Sequence, residues 1–183
     1  KTGKRVVAIV APAFYGQFGA KLTPEKLTYA MRQLGFSDVV EVAVGADLCT
    51  VEEAKDFIDN VPDKLDFLAT SCCPAWSVIA KNISMALTPM VLTARLEKKK
   101  DPDCRIAFIG PCSAKKLEAS RRTIRSHVDF VLTFEELMGM FDAKEVDIEN
   151  IPDSEAIPLD KGTGAGRGFA VSGGVANAVA AEI

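Results

Sequence analysis

Asp66-Phe67-Leu68-Ala69-Thr70-Ser71-Cys72-Cys73-Pro74-Ala75-Trp76 is an apolar run that ends in two adjacent cysteines and a proline. Proline suits the first turn of a helix, where its missing N–H has no intrahelical partner to lose, so the segment reads strand, cysteine corner, helix. Such a corner puts the Cys73 sulfur near the positive end of a helix, which favours the thiolate, the form that binds metals. The unit recurs as Arg105-Ile106-Ala107-Phe108-Ile109-Gly110-Pro111-Cys112-Ser113-Ala114-Lys115-Lys116-Leu117-Glu118. Open α/β sheets take their ligands at the carboxyl ends of their strands, so two matched corners point to two ligands of one site.

Outward from these corners the chain alternates strand and helix. Residues 5–11 (RVVAIVA) form a β-branched apolar run of the kind buried on both faces of a parallel sheet. Thr23-Pro24 opens a helix with an apolar stripe at Leu27, Met31 and Leu34 and a stop at Gly35. Residues 38–44 read as a second strand, and Thr50-Val51-Glu52-Glu53 as a capping box that opens a helix through about residue 58. Residues 129–133 make a further strand, and Thr133-Phe134-Glu135-Glu136 caps the helix after it. Residues 150–161, with Pro152 and Pro158, read as a linker. The glycine-rich stretch 162–168 has the composition of a phosphate loop, but it precedes an apolar run at 169–171 that reads as a strand, so a mobile or tight turn is expected. A last helix begins near Ser172-Gly173-Gly174-Val175. The expected class is α/β, in two lobes with mainly parallel sheets flanked by helices and an active-site cleft between them. Residues 1–60 form the first lobe, 61–150 the second with both cysteine motifs, and 151–183 a linker and return to the first.

With 183 residues, 48% of them hydrophobic and 26% charged, the chain can bury a sizeable core. A net charge of -3 argues against nucleic acid, and Lys98-Lys99-Lys100 reads as a solvated helix end. No apolar run reaches the ~18 residues of a membrane span, and the N-terminus leads directly into a strand, so a cytoplasmic location is expected. The first residue is not Met, which predicts a piece of a longer chain. Five cysteines at irregular spacing do not make a secreted disulfide framework, and metal or redox chemistry is the better reading. Zinc is disfavoured, since there is no C-x2-C pair and only one His. Cys49 and Cys104 lie away from the corners and read as inert core residues. Neighbours in an extended segment point in opposite directions, so Cys72 and Cys73 have separate tasks.

Thr70-Ser71-Cys72-Cys73-Pro74-Ala75-Trp76 resembles the first signature of the iron-iron hydrogenases, and Pro111-Cys112-Ser113-Ala114-Lys115-Lys116-Leu117-Glu118 resembles their second. The resemblance runs from about Lys4 to the C-terminus and lacks the third signature. It implies that Cys73 and Cys112 are two of the four thiolate ligands of a 4Fe-4S cluster that bridges to a diiron centre carrying carbon monoxide and cyanide. It implies that Cys72 is the terminal proton donor, with a proton route through Ser84, Asp56 and Glu53. Lys115 would bond an iron-bound cyanide and Glu118 would position it. Ala11, Pro12, Ala13 and Pro111 would line the diiron pocket. The implied activity is reversible proton reduction and H2 oxidation, with ferredoxin or an iron-sulfur electron-transfer domain and hydrogenase maturation proteins as partners. Without the remaining two ligands this chain is expected as an apo form or a fragment. Two positions depart from the pattern: Asp56 replaces the usual Glu, and Gly110 stands where active enzymes usually have Met, which removes a bulky wall. Where the family's Ala-Pro-Ser/Ala turn can carry a serine that donates a hydrogen bond, this chain has Ala13. The stretch from Trp76 to Ile83 is also shorter than in the family, which implies residues missing between Asn82 and Ile83. The alternatives are an H2- or redox-sensing domain of the same fold with little turnover, and a thiol-dependent or nucleotide-binding α/β domain resting on Cys72 and the glycine-rich stretch.

Overall fold

Strand β1, Val6–Val10, lies at the heart of the sheet, with Val7, Ala8 and Ile9 wholly removed from solvent. Its unbroken β-branched character follows from that position, because neighbours and helices leave neither face wet. The computed structural model describes residues 3–76, 88–122 and 127–183. Helix α1 is Pro24–Leu34, strand β2 Asp38–Glu41, helix α2 Ala43–Asn60, helix α3 Pro89–Lys100 and strand β3 Arg105–Gly110. They are followed by helix α4 Ala114–Ala119, strand β4 Phe130–Thr133, helix α5 Phe134–Ala143, the short helix α6 Gly164–Gly168 and helix α7 Gly174–Glu182.

Among the described residues the strands form one four-stranded parallel sheet in the order β2-β1-β3-β4, flanked by helices, which is the α/β class expected. In register, Val10 lies between Glu41 on one side and Ile109 on the other. The chain moves outward from β1 to β2 and then returns to place β3 on β1's other side. Two stretches assigned to different lobes therefore contribute adjacent strands to one sheet. This reversal between β1 and β3 is the topological switch where open sheets form a crevice at their carboxyl edge. Ala11-Pro12-Ala13 leaves β1 there, and Pro111-Cys112 leaves β3 beside it.

The local signals at two helices act as expected. The Thr23 side chain accepts the Lys26 N–H at the start of α1, and Gly35 ends it at φ 100°, a conformation glycine adopts without strain. Thr133 and Glu136 form a complete capping box at the start of α5. The Leu27 and Met31 side chains of α1 are fully buried, worth about 1.5–3 kcal/mol each.

Five expectations are corrected. The strand β2 ends at Glu41, and residues 43 and 44 are helical. Thr50 lies in mid-helix and donates to the Ala46 carbonyl, so it caps nothing. Residues 66–71, read as a strand, have no strand conformation, and Phe67 is 73% exposed. Residues 169–171 are a turn between α6 and α7. The basic run 98–100 does end a helix, but it is not simply solvated. Lys98 donates to the Cys104 carbonyl and Asp129, while Lys100 donates to Asp160 and to Glu97, which is itself buried. Among the described residues, no helix is long and apolar enough to cross a membrane.

Candidate active-site cleft

A cleft of about 210 Å³ opens at the switch point. Eight of the residues singled out from the sequence meet on its wall: Ala11, Pro12, Ala13, Cys72, Cys73, Pro111, Cys112 and Lys115. At the first corner residues 74–76 are helical, and the Trp76 N–H reaches the Cys73 sulfur at 3.5 Å. Cys73 thus occupies the capping position, with its sulfur on the positive helix end. Its own N–H is fixed by the Ser71 hydroxyl at 3.0 Å. At the second corner the Cys112 carbonyl accepts the Lys115 N–H, which starts the turn into α4. Cys73 and Cys112 are exposed, Cys72 is half-buried, and Cys49 and Cys104 are buried.

Lys115 is the cation of the cleft. Its Nζ donates to the Cys72 carbonyl at 2.8 Å and to Glu118 Oε2 at 2.7 Å. Glu118 does not line the cleft; it is fully buried behind it, and its Oε1 accepts the Thr88 hydroxyl at 2.7 Å. The pair is therefore not the weak exposed helical pair that i,i+3 spacing alone implies. Burial pushes the Cys72 thiol above the usual range, against the opposing pull of Lys115.

Of the remaining predicted residues, Glu53 and Asp56 do not line the cleft. Ser84 lies outside the described residues. Glu53, on α2, is half-buried, and burial followed by the charge of Asp56 pushes its carboxyl up. Asp56 is exposed and accepts a hydrogen bond from Asn60. Cys49, one turn before Glu53, is pushed up to about 12, first by burial and then by Glu53 and Cys72, with Lys115 opposing. Cys49 thus lies within electrostatic reach of the cleft, a link that spacing from the corners gave no reason to expect.

Several walls of the cleft were not foreseen. Phe169 and Ala170 belong to the return segment, while Met90 and Phe108 come from α3 and β3. Phe108 also changes the reading of Gly110. A Cβ built there would stand 2.6 Å from the Phe108 ring and 3.3 Å from the Ala11 Cβ, so the wall is supplied by Phe108 from two residues away. The glycine-rich stretch also acquires a packing role. A Cβ at Gly162 or Gly166 would fall 2.4 Å from Ala43 Cβ or 2.3 Å from Ala43 O respectively, so these glycines let the return segment lie on the first turn of α2. Asp47 holds the Thr163 N–H and hydroxyl, and Glu41 accepts hydrogen bonds from Arg167, Tyr15 and the Gly162 N–H.

The donor set suits one side of an iron-sulfur centre: two exposed thiols, a cation for anionic ligands and apolar walls. Among the described residues no three His, Cys, Asp or Glu side chains gather as a metal site.

Comparisons with known proteins bear on the family and the fold. The chain is 30% identical over 205 residues to Iron hydrogenase 1 of Clostridium pasteurianum, covering 96% of this chain and 36% of that protein. A structure of a variant of FeFe-hydrogenase HydA1 from Chlamydomonas reinhardtii superposes with a TM-score of 0.78 at 25% identity, over 98% of this chain and 52% of that one. A shorter similarity, 34% over 100 residues, covers 50% of this chain and 21% of the cytosolic Fe-S cluster assembly factor NAR1 of Kluyveromyces lactis. The chain thus spans about half or less of the proteins it matches. The family described as iron only hydrogenase large subunit, C-terminal domain, matches residues 4–183, and the chain belongs to it.

Proposed function

We propose that this chain supplies one side of a hydrogenase active site, at which protons and electrons are interconverted with H2. The observation that supports it most directly is the meeting of Cys72, Cys73, Cys112 and Lys115 on one cleft at the sheet's switch point. In this reading Cys73 and Cys112 hold a 4Fe-4S cluster together with ligands from elsewhere in the complete protein. When bound, the cluster and its diiron centre would supply the electrons and the iron chemistry of the reaction. Cys72 holds and releases the proton at its Sγ, and Lys115 places an ammonium against an anionic ligand. Ala11, Pro12, Ala13 and Pro111 exclude water. Glu53, with its carboxyl pushed up by burial, is suited to hold a proton on the route that continues to Asp56 and Ser84. Ferredoxin-like donors, maturation proteins and a cytoplasmic setting belong to the same proposal.

The test is reconstitution of the complete protein with its iron centre, followed by H2 evolution from a reduced one-electron donor. Cys72→Ser should retain iron and lose about 10²–10⁴-fold in rate, the span of a general acid–base contribution. Cys73→Ser and Cys112→Ser should lose iron.

A second reading, an iron-sulfur assembly or sensing domain with little turnover, is favoured by the similarity to NAR1 and by the exposed Asp56, held by Asn60 on the surface of α2. It predicts iron bound through the same cysteines and no H2 from the loaded wild-type protein.

A further inference from the structure

Thr88 occupies the residue before α3, where a threonine ordinarily turns its hydroxyl onto its own helix's free N–H groups. Here it makes no such bond, although its backbone is extended as a cap requires. The hydroxyl is given instead to Glu118 Oε1 at 2.7 Å, across 30 residues of sequence. Both groups are sealed, with Thr88 2% and Glu118 0% exposed. The second carboxylate oxygen takes Lys115, and Lys115 takes the Cys72 carbonyl. The bonds make a single file from the start of α3, through α4, to the cysteine corner and the cleft wall.

We propose that Thr88 is a positioning residue. Its hydroxyl fixes the rotation of the Glu118 carboxylate, and the carboxylate holds the Lys115 ammonium at the cleft against the Cys72 carbonyl. The proposal rests on the hydrogenase reading only for what the ammonium faces; the file of hydrogen bonds is independent of it. A carboxylate donates nothing when ionised and needs donors on both oxygens when buried. Without the hydroxyl, Oε1 is left bare, so the carboxylate turns toward other donors and releases the ammonium it was holding.

The test uses this chain and an acylating reagent for amines, with the labelling of Lys115 measured against Lys116 in the same molecules by mass spectrometry. Lys116 is the internal reference because its side chain is 45% exposed, against 12% for Lys115. Thr88→Val keeps the shape and removes the hydroxyl. It should raise the Lys115:Lys116 ratio about fivefold, the equivalent of roughly 1 kcal/mol of lost hydrogen bonding, while Thr88→Ser leaves the ratio within about twofold. Equal ratios in Thr88→Val and wild type, or equal rises in Thr88→Val and Thr88→Ser, would overturn the proposal. If Thr88→Val does not fold, the unaltered chain decides by NMR. A Thr88 hydroxyl proton protected from exchange supports the proposal, and one exchanging as fast as surface hydroxyls overturns it. A loaded protein that makes no H2 while passing the labelling test removes the hydrogenase reading and leaves the role of Thr88 standing.

Discussion

Arg167 forms a two-point hydrogen bond with Glu41, Nε to Oε2 at 2.9 Å and a terminal guanidinium nitrogen to Oε1 at 3.0 Å. Glu41 is fully buried at the end of β2, and Arg167 comes from the return segment, so the pair ties the last part of the chain to the rim of the sheet. Tyr15 adds its hydroxyl to the same carboxylate, and its ring lies 5.5 Å from the guanidinium. Arg167→Met should lower stability by about 2 kcal/mol, less than the 3–5 kcal/mol typical of a broken buried pair. The guanidinium side chain is one third exposed, and Tyr15 and Gly162 continue to bond the carboxylate. Urea unfolding measures it; a loss below about 0.5 kcal/mol would mean that the carboxylate is satisfied without the arginine.

Two glycines of the return segment should respond oppositely to the same change. Gly166→Ala drives a methyl to within 2.3 Å of the Ala43 carbonyl and 2.5 Å of Asp47, so helix α6 must lift. A cost of about 1–3 kcal/mol is expected from this overpacking. Gly164→Ala meets nothing within 4 Å and should be neutral or stabilising by up to about 1 kcal/mol. Thermal melts of the two variants side by side would refute the packing role if both behaved alike.

Glu53 makes a prediction about pH. Burial and Asp56 raise its folded-state pKa above the unfolded value. Its contribution is therefore greatest below the ordinary glutamate pKa and is lost as pH rises through the raised value. Glu53→Gln removes that loss, so the variant should gain on the wild type as pH climbs from 4 to 7, with the two curves closest at the acid end. A variant that instead falls further behind toward neutral pH would show that the ionised carboxylate is the favoured form.

Thiol alkylation should proceed in an order set by exposure and environment. Cys73 and Cys112 are exposed and should react first, Cys72 more slowly, and Cys104 and Cys49 last. Cys72 should also gain more from a rise in pH between 7 and 9 than an ordinary exposed thiol, because its pKa lies above the usual value. Peptide mapping after timed quenching reads the order, and rapid modification of Cys49 would contradict the packing of α2.

The legible parts of this chain are those whose cause is local. Five β-branched and small residues in a row announce β1, and Thr133 with Glu136 announces the start of α5, because both signals act within a few residues. The start of α2 was hidden, since Ala43, Val44 and Gly45 are apolar for the sake of packing against α3. A Cβ at Gly45 would lie 2.3 Å from the Pro89 carbonyl, a constraint written 44 residues away. Residues 66–71, with Phe67, Leu68 and Ala69 in a row, read as a strand, yet no neighbouring strand pairs with them among the described residues. The cysteine corners were readable as motifs, whereas Phe169, Ala170 and Thr88 reach the cleft or its support through tertiary contacts that no short pattern encodes.

The bridge between Val40 and Asp160, with the Glu41 N–H donating to the Asp160 carbonyl, engages backbone on the outer side of β2. Unpaired strand margins template the addition of foreign chains, so this short stretch of polypeptide doubles as a guard against self-association. A version cut before residue 157 would bare that margin, and its solubility, more than its secondary structure, is where the loss would first register.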